Sequence, residues 1–155
     1  MRRRAARIRK IFPDAKYGEI IVSRLVNRLM NDGKKSVVEK AIYSAFNQLE
    51  KKLKKHPVAI FKEALENITP RIEVRSRRIG GATYQIPVEV SARRGSALAL
   101  KWFKSSIENI KGKELANKVM VVVLESLENK GWAAKKKEEE FKMAEANKAF
   151  AHYRW

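Results

Sequence analysis

Along this chain the apolar residues recur every three or four positions, then every two, then every three or four again. That double change of period restricts the fold more than any single motif does. From Ile20 onward, Ile21, Val22, Leu25, Val26 and Leu29 share one helical face, and Asn31-Asp32-Gly33 supplies turn formers after them. A longer stripe follows at Val38, Ala41, Ile42, Ala45, Phe46, Leu49 and Leu53. His56-Pro57 interrupts it, since proline disfavours helical geometry at the residue before it. Phe61, Ala64, Leu65 and Ile68 then predict a third, short helix closed by Pro70.

Period two takes over where Ile72 and Val74 alternate with Glu73 and Arg75, and where Tyr84, Ile86, Val88 and Val90 alternate with Thr83, Gln85, Pro87 and Glu89. Gly80-Gly81 lies between the two runs, and both glycines can adopt the positive φ of a tight hairpin turn. Pro87 has no N–H to give, so its strand is an edge or adjoins a bulge, and a two-stranded ribbon satisfies that condition. The apolar alternation fades near the turn, beside Arg75, Arg77 and Arg78. The base of the ribbon is therefore expected on the helices with the tip projecting, an arm of roughly 26 Å at about 3.3 Å per residue.

After Ser91 the helical period returns. Leu98, Ala99, Trp102, Phe103, Ile107 and Ile110 predict a fourth helix stopping at Gly112, and Leu115, Val119, Val122, Val123 and Leu127 a fifth stopping at Gly131. A sixth, with a thin apolar stripe, is expected from Ala133 to Phe150. The expected fold class is mainly α: a six-helix bundle with an extended two-stranded β-hairpin over 72–90, inserted between helices three and four. A basic N-terminal arm covers 1–16, a C-terminal helix and tail cover 133–155, and the 155 residues are expected to form one domain.

Thirty-five Lys and Arg oppose seventeen Asp and Glu, a net charge of +18. Self-repulsion of that size destabilises a compact chain unless a polyanion relieves it, which points to nucleic acid or an anionic membrane surface. The longest apolar stretch, Val119 to Leu124, falls far short of the roughly 20 residues of a spanning helix. Lipid docking would also need apolar stripes that the core already uses. The chain has no Cys and only two His, His56 and His152. Nucleophile and general-base combinations are therefore scarce, and neither an enzyme, a metal site nor a cofactor is expected. Gly33-Lys34-Lys35-Ser36 looks superficially like a phosphate-binding loop, but Arg28 stands where that motif needs Gly and Lys35 precedes the hydroxyl residue. Glu138-Glu139-Glu140 points in three directions on a helix and cannot converge on one cation. The basic start is not followed by an apolar run, so no secretory signal is expected, and a cytoplasmic place stands beside an organelle stroma or matrix.

The cations fall in separate clusters. Arg2, Arg3, Arg4, Arg9 and Lys10 lie in the arm, and Lys34 and Lys35 in the first turn region. Arg75, Arg77 and Arg78 flank the ribbon tip, where an aromatic such as Tyr84 could stack on an unpaired base or simply pack. Arg93 and Arg94 open helix four, where free N–H groups and guanidinium together suit phosphate. Lys135 and Lys136 fall in the expected first turn of helix six, where the macrodipole disfavours cations. Such local conflict is common at functional positions. In the tail, Tyr153 and Arg154, between His152 and Trp155, have two uses: stacking on bases or burial against the protein's own helices. Charge on an arm, a ribbon, helix starts and a tail suits a folded RNA that surrounds the protein. A DNA-architectural role, with the basic ribbon in a groove, is the alternative.

Three motifs carry a resemblance. The stretch Val74 to Val90, with Arg75-Ser76-Arg77-Arg78-Ile79-Gly80-Gly81, the turn Met30-Asn31-Asp32-Gly33-Lys34-Lys35-Ser36, and the tail Met143 to Trp155 are similar to the small-subunit ribosomal protein seven family, the tail to its bacterial and organellar branch. The resemblance implies six helices with an extended hairpin. It also implies a primary binder of small-subunit rRNA that nucleates the 3′ major domain and head assembly. Its hairpin would lie near the exit-site tRNA, with ribosomal proteins nine and eleven as neighbours. Carried over, the RNA-contacting positions are those named in the arm, the first turn, the ribbon, the start of helix four and helix six, with Tyr153 and Arg154 in the tail. Arg2, Trp132 and Phe141 depart from the family's usual residues.

Overall fold

The structure is a computed structural model and describes residues 9–153. Arg2, Arg3, Arg4 and Arg154 lie outside the described residues. Six α-helices appear in chain order: α1 Ile20–Leu29, α2 Lys35–Leu53, α3 Pro57–Ile68, α4 Ala92–Asn109, α5 Leu115–Leu127 and α6 Gly131–Ala146. Between α3 and α4 stand β1 Ile72–Ile79 and β2 Ala82–Glu89, and a short 3₁₀ helix, Lys148–Tyr153, follows α6. None of these helices is long and apolar enough to cross a membrane.

Each α1–α5 stripe turns inward. Val22, Leu25, Val26 and Leu29 of α1 are buried, as are Val38, Ile42, Ala45, Phe46 and Leu49 of α2. Pro57 breaks the chain as expected and becomes the first residue of α3, where its fixed φ suits the first helical turn. Phe46, Phe61 and Phe103 link α2, α3 and α4 through the centre, with ring centroids 5.7 and 5.6 Å apart. Trp102 is buried in the same core. Asn67 of α3 donates from its side-chain amide to the Ser126 and Leu127 carbonyls, which holds α3 to the end of α5.

The hairpin is antiparallel with Ile79 opposite Ala82, and Gly80 and Gly81 close it at φ 55° and 91°. Positive φ at both central residues is what the right-handed twist of a two-residue turn requires. Pro87 pairs with Val74 on a strand that is an edge by construction.

Three expectations are corrected. Gly131 does not stop α5: Asn129 takes the left-handed conformation there, with φ 54°, and the Lys130 N–H donates to the Glu125 carbonyl at 2.8 Å. Gly131 instead opens α6, so Lys135 and Lys136 lie in its second turn and the macrodipole conflict does not apply as expected. α6 also ends at Ala146, and Phe150 belongs to the 3₁₀ helix. On β1 the buried residue is Glu73, while Ile72 and Val74 are half-buried.

Candidate nucleic-acid interface

α1 carries Arg24 and Arg28 one turn apart on its polar face, and contains no acid. Like charges at that spacing weaken an isolated helix. The polar face of α4 carries Arg93, Arg94, Lys101 and Lys104, with no acid before Glu108. The bundle lays these two faces side by side and brings Arg9 and Lys10 of the arm against them. The result is an open groove of about 1380 Å³ lined by all eight of these cations and by no carboxylate. Arg28 reaches the Ala97 carbonyl at 3.5 Å, and Lys104 reaches Asn31 Oδ1 at 3.3 Å, so two of the cations also bridge α1 and its following turn to α4.

Arg94 joins this groove to the hairpin. Its Nε donates to Glu73 Oε2 at 3.1 Å, while Arg75 Nε donates to Glu73 Oε1 at 2.6 Å. Burial raises the Glu73 carboxyl, but the hydrogen bonds and positive charges of Arg75 and Arg94 outweigh it and hold the group below its ordinary value. Both arginines remain more than half exposed. A buried carboxylate thus aims two guanidinium groups while leaving a net positive surface.

Farther out, Arg77 and Tyr84 face each other across the ladder. Arg77 Nη1 donates to the Tyr153 carbonyl at 2.9 Å. The Tyr84 ring lies 5.3 Å from Phe150 and 5.4 Å from Tyr153. The 3₁₀ helix therefore covers one face of the ribbon. Tyr84 packs, and Tyr153 is half-buried beside it and against His152. Arg78 is exposed and forms no hydrogen bond or ion pair among the described residues.

Residues 1–148 match the family described as Ribosomal protein S7p/S5e. The chain belongs to this family. It is 49% identical over 154 residues to "Small ribosomal subunit protein uS7" of Ruegeria pomeroyi, covering 99% of each chain. It is 47% identical to the proteins of that name from Beijerinckia indica, over 99% of both chains, and Thermotoga petrophila, over 100% of both.

In this S7p/S5e chain the groove gathers four of the positions expected from sequence, Arg9, Lys10, Arg93 and Arg94. Lys34 stands nearby, exposed ahead of α2. It lines a smaller hollow of about 380 Å³ with Lys113 and Lys118, and Lys104 borders both spaces. Lys35 is turned to Glu39, 3.5 Å away. On α6, Lys136 is held by Glu139 at 2.6 Å and lies 5.4 Å from the Trp132 ring centroid. Lys135 is exposed without a hydrogen bond or ion pair among the described residues. Lys137 turns inward, donating to the Asn67 carbonyl at 2.6 Å; burial, then the charge of Arg71, lowers its pKa. The hairpin and α6 cations thus lie outside the groove lining.

Sequence reasoning missed Arg24, Arg28, Lys101 and Lys104. The available signal was two amphipathic helices whose polar faces held cations and almost no acid. Their convergence is a tertiary fact, with Arg28 and Ala97 separated by 69 positions.

Proposed function

We propose that this chain is a structural, non-catalytic component of the small ribosomal subunit, and that its α1–α4 groove holds the sugar-phosphate backbone of small-subunit rRNA. One observation carries the reading: eight cations and no carboxylate line a groove on a protein of net charge +18. Lys and Arg that neutralise phosphates release condensed counterions, which supplies sequence-independent affinity. A wide groove with scattered outlying cations fits a folded RNA with several approach directions. The relatives' printed name supports the assembly, and with it a place in the ribosome of the cytoplasm.

The chain acts as one RNA-binding domain that docks on the 3′ major domain and nucleates the head. Arm residues Arg2, Arg3 and Arg4, with Arg9 and Lys10, extend the groove's contacts. Lys34 and Lys35, the exposed Arg75 and Arg78, and Lys135 and Lys136 of α6 reach RNA outside it. The hairpin lies beside exit-site tRNA, and ribosomal proteins nine and eleven are its neighbours.

Competition at physiological salt between a 3′ major domain transcript and a duplex DNA of equal length tests this reading. A clear preference for the transcript is expected. Equal or better binding to duplex DNA would replace it with the DNA-architectural reading.

A further inference from the structure

Among the described residues Phe12 is the most exposed large apolar side chain, at 84%, and it lines the basic groove. A bare phenyl ring is a poor choice for a surface meant only for phosphates. The residues that follow it, however, are held firmly. Pro13 restricts Phe12 to extended geometry. Asp14, only 6% exposed, accepts hydrogen bonds from the Lys16 N–H at 3.1 Å, the Tyr17 N–H at 3.0 Å and the Tyr43 hydroxyl at 2.8 Å. The Gly18 N–H donates to the Asp14 carbonyl at 2.9 Å. Tyr17 in turn packs on Phe46 of the central aromatic chain, 5.6 Å between centroids. The chain is thus fastened to the core from Asp14 onward, two residues after Phe12, while the ring stands in solvent beside eight cations. Ordering such a segment in advance lowers the entropy lost when a ligand meets the ring.

We propose that Phe12 is a stacking platform for an unpaired base, so that the groove takes a looped or bulged RNA strand in preference to uninterrupted duplex. This rests on the groove's assignment to RNA and goes beyond it. Cations track the phosphates, and a flat apolar ring offers a base its π face, the combination by which unpaired nucleic acid is held. In a perfect duplex the bases are stacked on one another and have no face to give. The acid-free lining favours a polyanion over a protein chain as occupant.

The probes are an RNA hairpin with a perfect stem and the same hairpin with one bulged 2-aminopurine, titrated against the full chain. The bulged RNA is expected to bind the wild type about 5- to 150-fold more tightly, the range set by one base–aromatic stack. Its fluorescence is expected to fall on binding. Phe12→Ala should abolish both the preference and the quenching, so that the bulged and perfect hairpins bind alike. Phe12→Trp should keep them. No preference in the wild type, or a preference that survives Phe12→Ala, would overturn the proposal. So would full retention in Phe12→Leu, which would assign the position to a general apolar contact with the RNA in place of ring stacking. Arg24→Gln with Arg28→Gln separates the two levels. If the groove holds RNA, this pair weakens binding of both hairpins. If neither weakens, the groove reading itself fails, and the proposal with it. Because the ring is exposed, none of the Phe12 variants disturbs the core.

Discussion

Replacing Glu73 by Gln tests how the hairpin is fastened to the body. Glu73 is 7% exposed and is bound by Arg75 and Arg94, one from its own strand and one from α4. Hydrogen bonds to a charged group are worth about 1.5 to 3 kcal/mol, and breaking a fully buried pair costs about 3 to 5. Neither upper figure applies, because the arginine side chains are 63% and 54% exposed and regain water when the charge is lost. Glutamine also keeps one acceptor, so a loss of about 1 to 2 kcal/mol is expected after solvent screening. For a chain of this size that is about 2 to 8 °C in Tm. The sign with pH follows from the direction of the shift. A carboxyl held below its ordinary value stabilises the fold above its unfolded pKa of 4.5, and that contribution disappears as pH falls through the lower folded value. Urea unfolding of wild type and Glu73→Gln at neutral and acid pH measures both. Glu63→Gln, exposed and without an ion pair among the described residues, controls for the common change in net charge from +18 to +19. A deficit that persists undiminished in acid, or one no larger than that of Glu63→Gln, would refute the ion-pair account.

Gly131→Ala should destabilise the chain by about 1 to 2 kcal/mol, since φ is +82° and a Cβ there would stand 3.1 Å from the Glu125 Cβ; adding Glu125→Ala should recover only part of the loss in a thermal melt. Arg77→Ala should loosen the 3₁₀ helix, read as faster proteolysis after α6, whereas Arg78→Ala should weaken rRNA binding with Tm unchanged. Burial, then the hydrogen bond and charge of Asp14, push the Tyr43 phenol up to about 12. In a phenolate absorbance titration one tyrosine should therefore lag the others, and Asp14→Asn should move it back toward the ordinary value.

The helical stripes were legible because burial follows period, and Gly80-Gly81 between two alternating runs marked the hairpin because few other dipeptides accept its turn. Gly131 was misread because glycine serves equally before and after a helix break, and Asn129 had already taken the left-handed position. Alternation alone gave no sign that Glu73 is the buried residue of β1. A carboxylate is buried there only because Arg75 and Arg94 meet it, and Arg94 comes from another element. The clusters at Arg93 and Arg94 and in the arm were visible as local runs. Arg24, Arg28, Lys101 and Lys104 were not, since each helix by itself is an ordinary amphipathic helix with a solvated face. Tyr153 carried two uses in sequence; its ring packs against Tyr84 of the hairpin.

The groove is tested most directly by the salt dependence of binding to a 3′ major domain transcript, compared between wild type and a chain carrying Arg24→Gln, Arg28→Gln, Lys101→Gln and Lys104→Gln. Each phosphate neutralised contributes about 0.7 to 0.9 to the slope of log K against log salt. The expected result is a slope shallower by about 3 in the variant, with its helical circular dichroism unchanged. A slope equal to that of wild type would mean that RNA does not lie between α1 and α4.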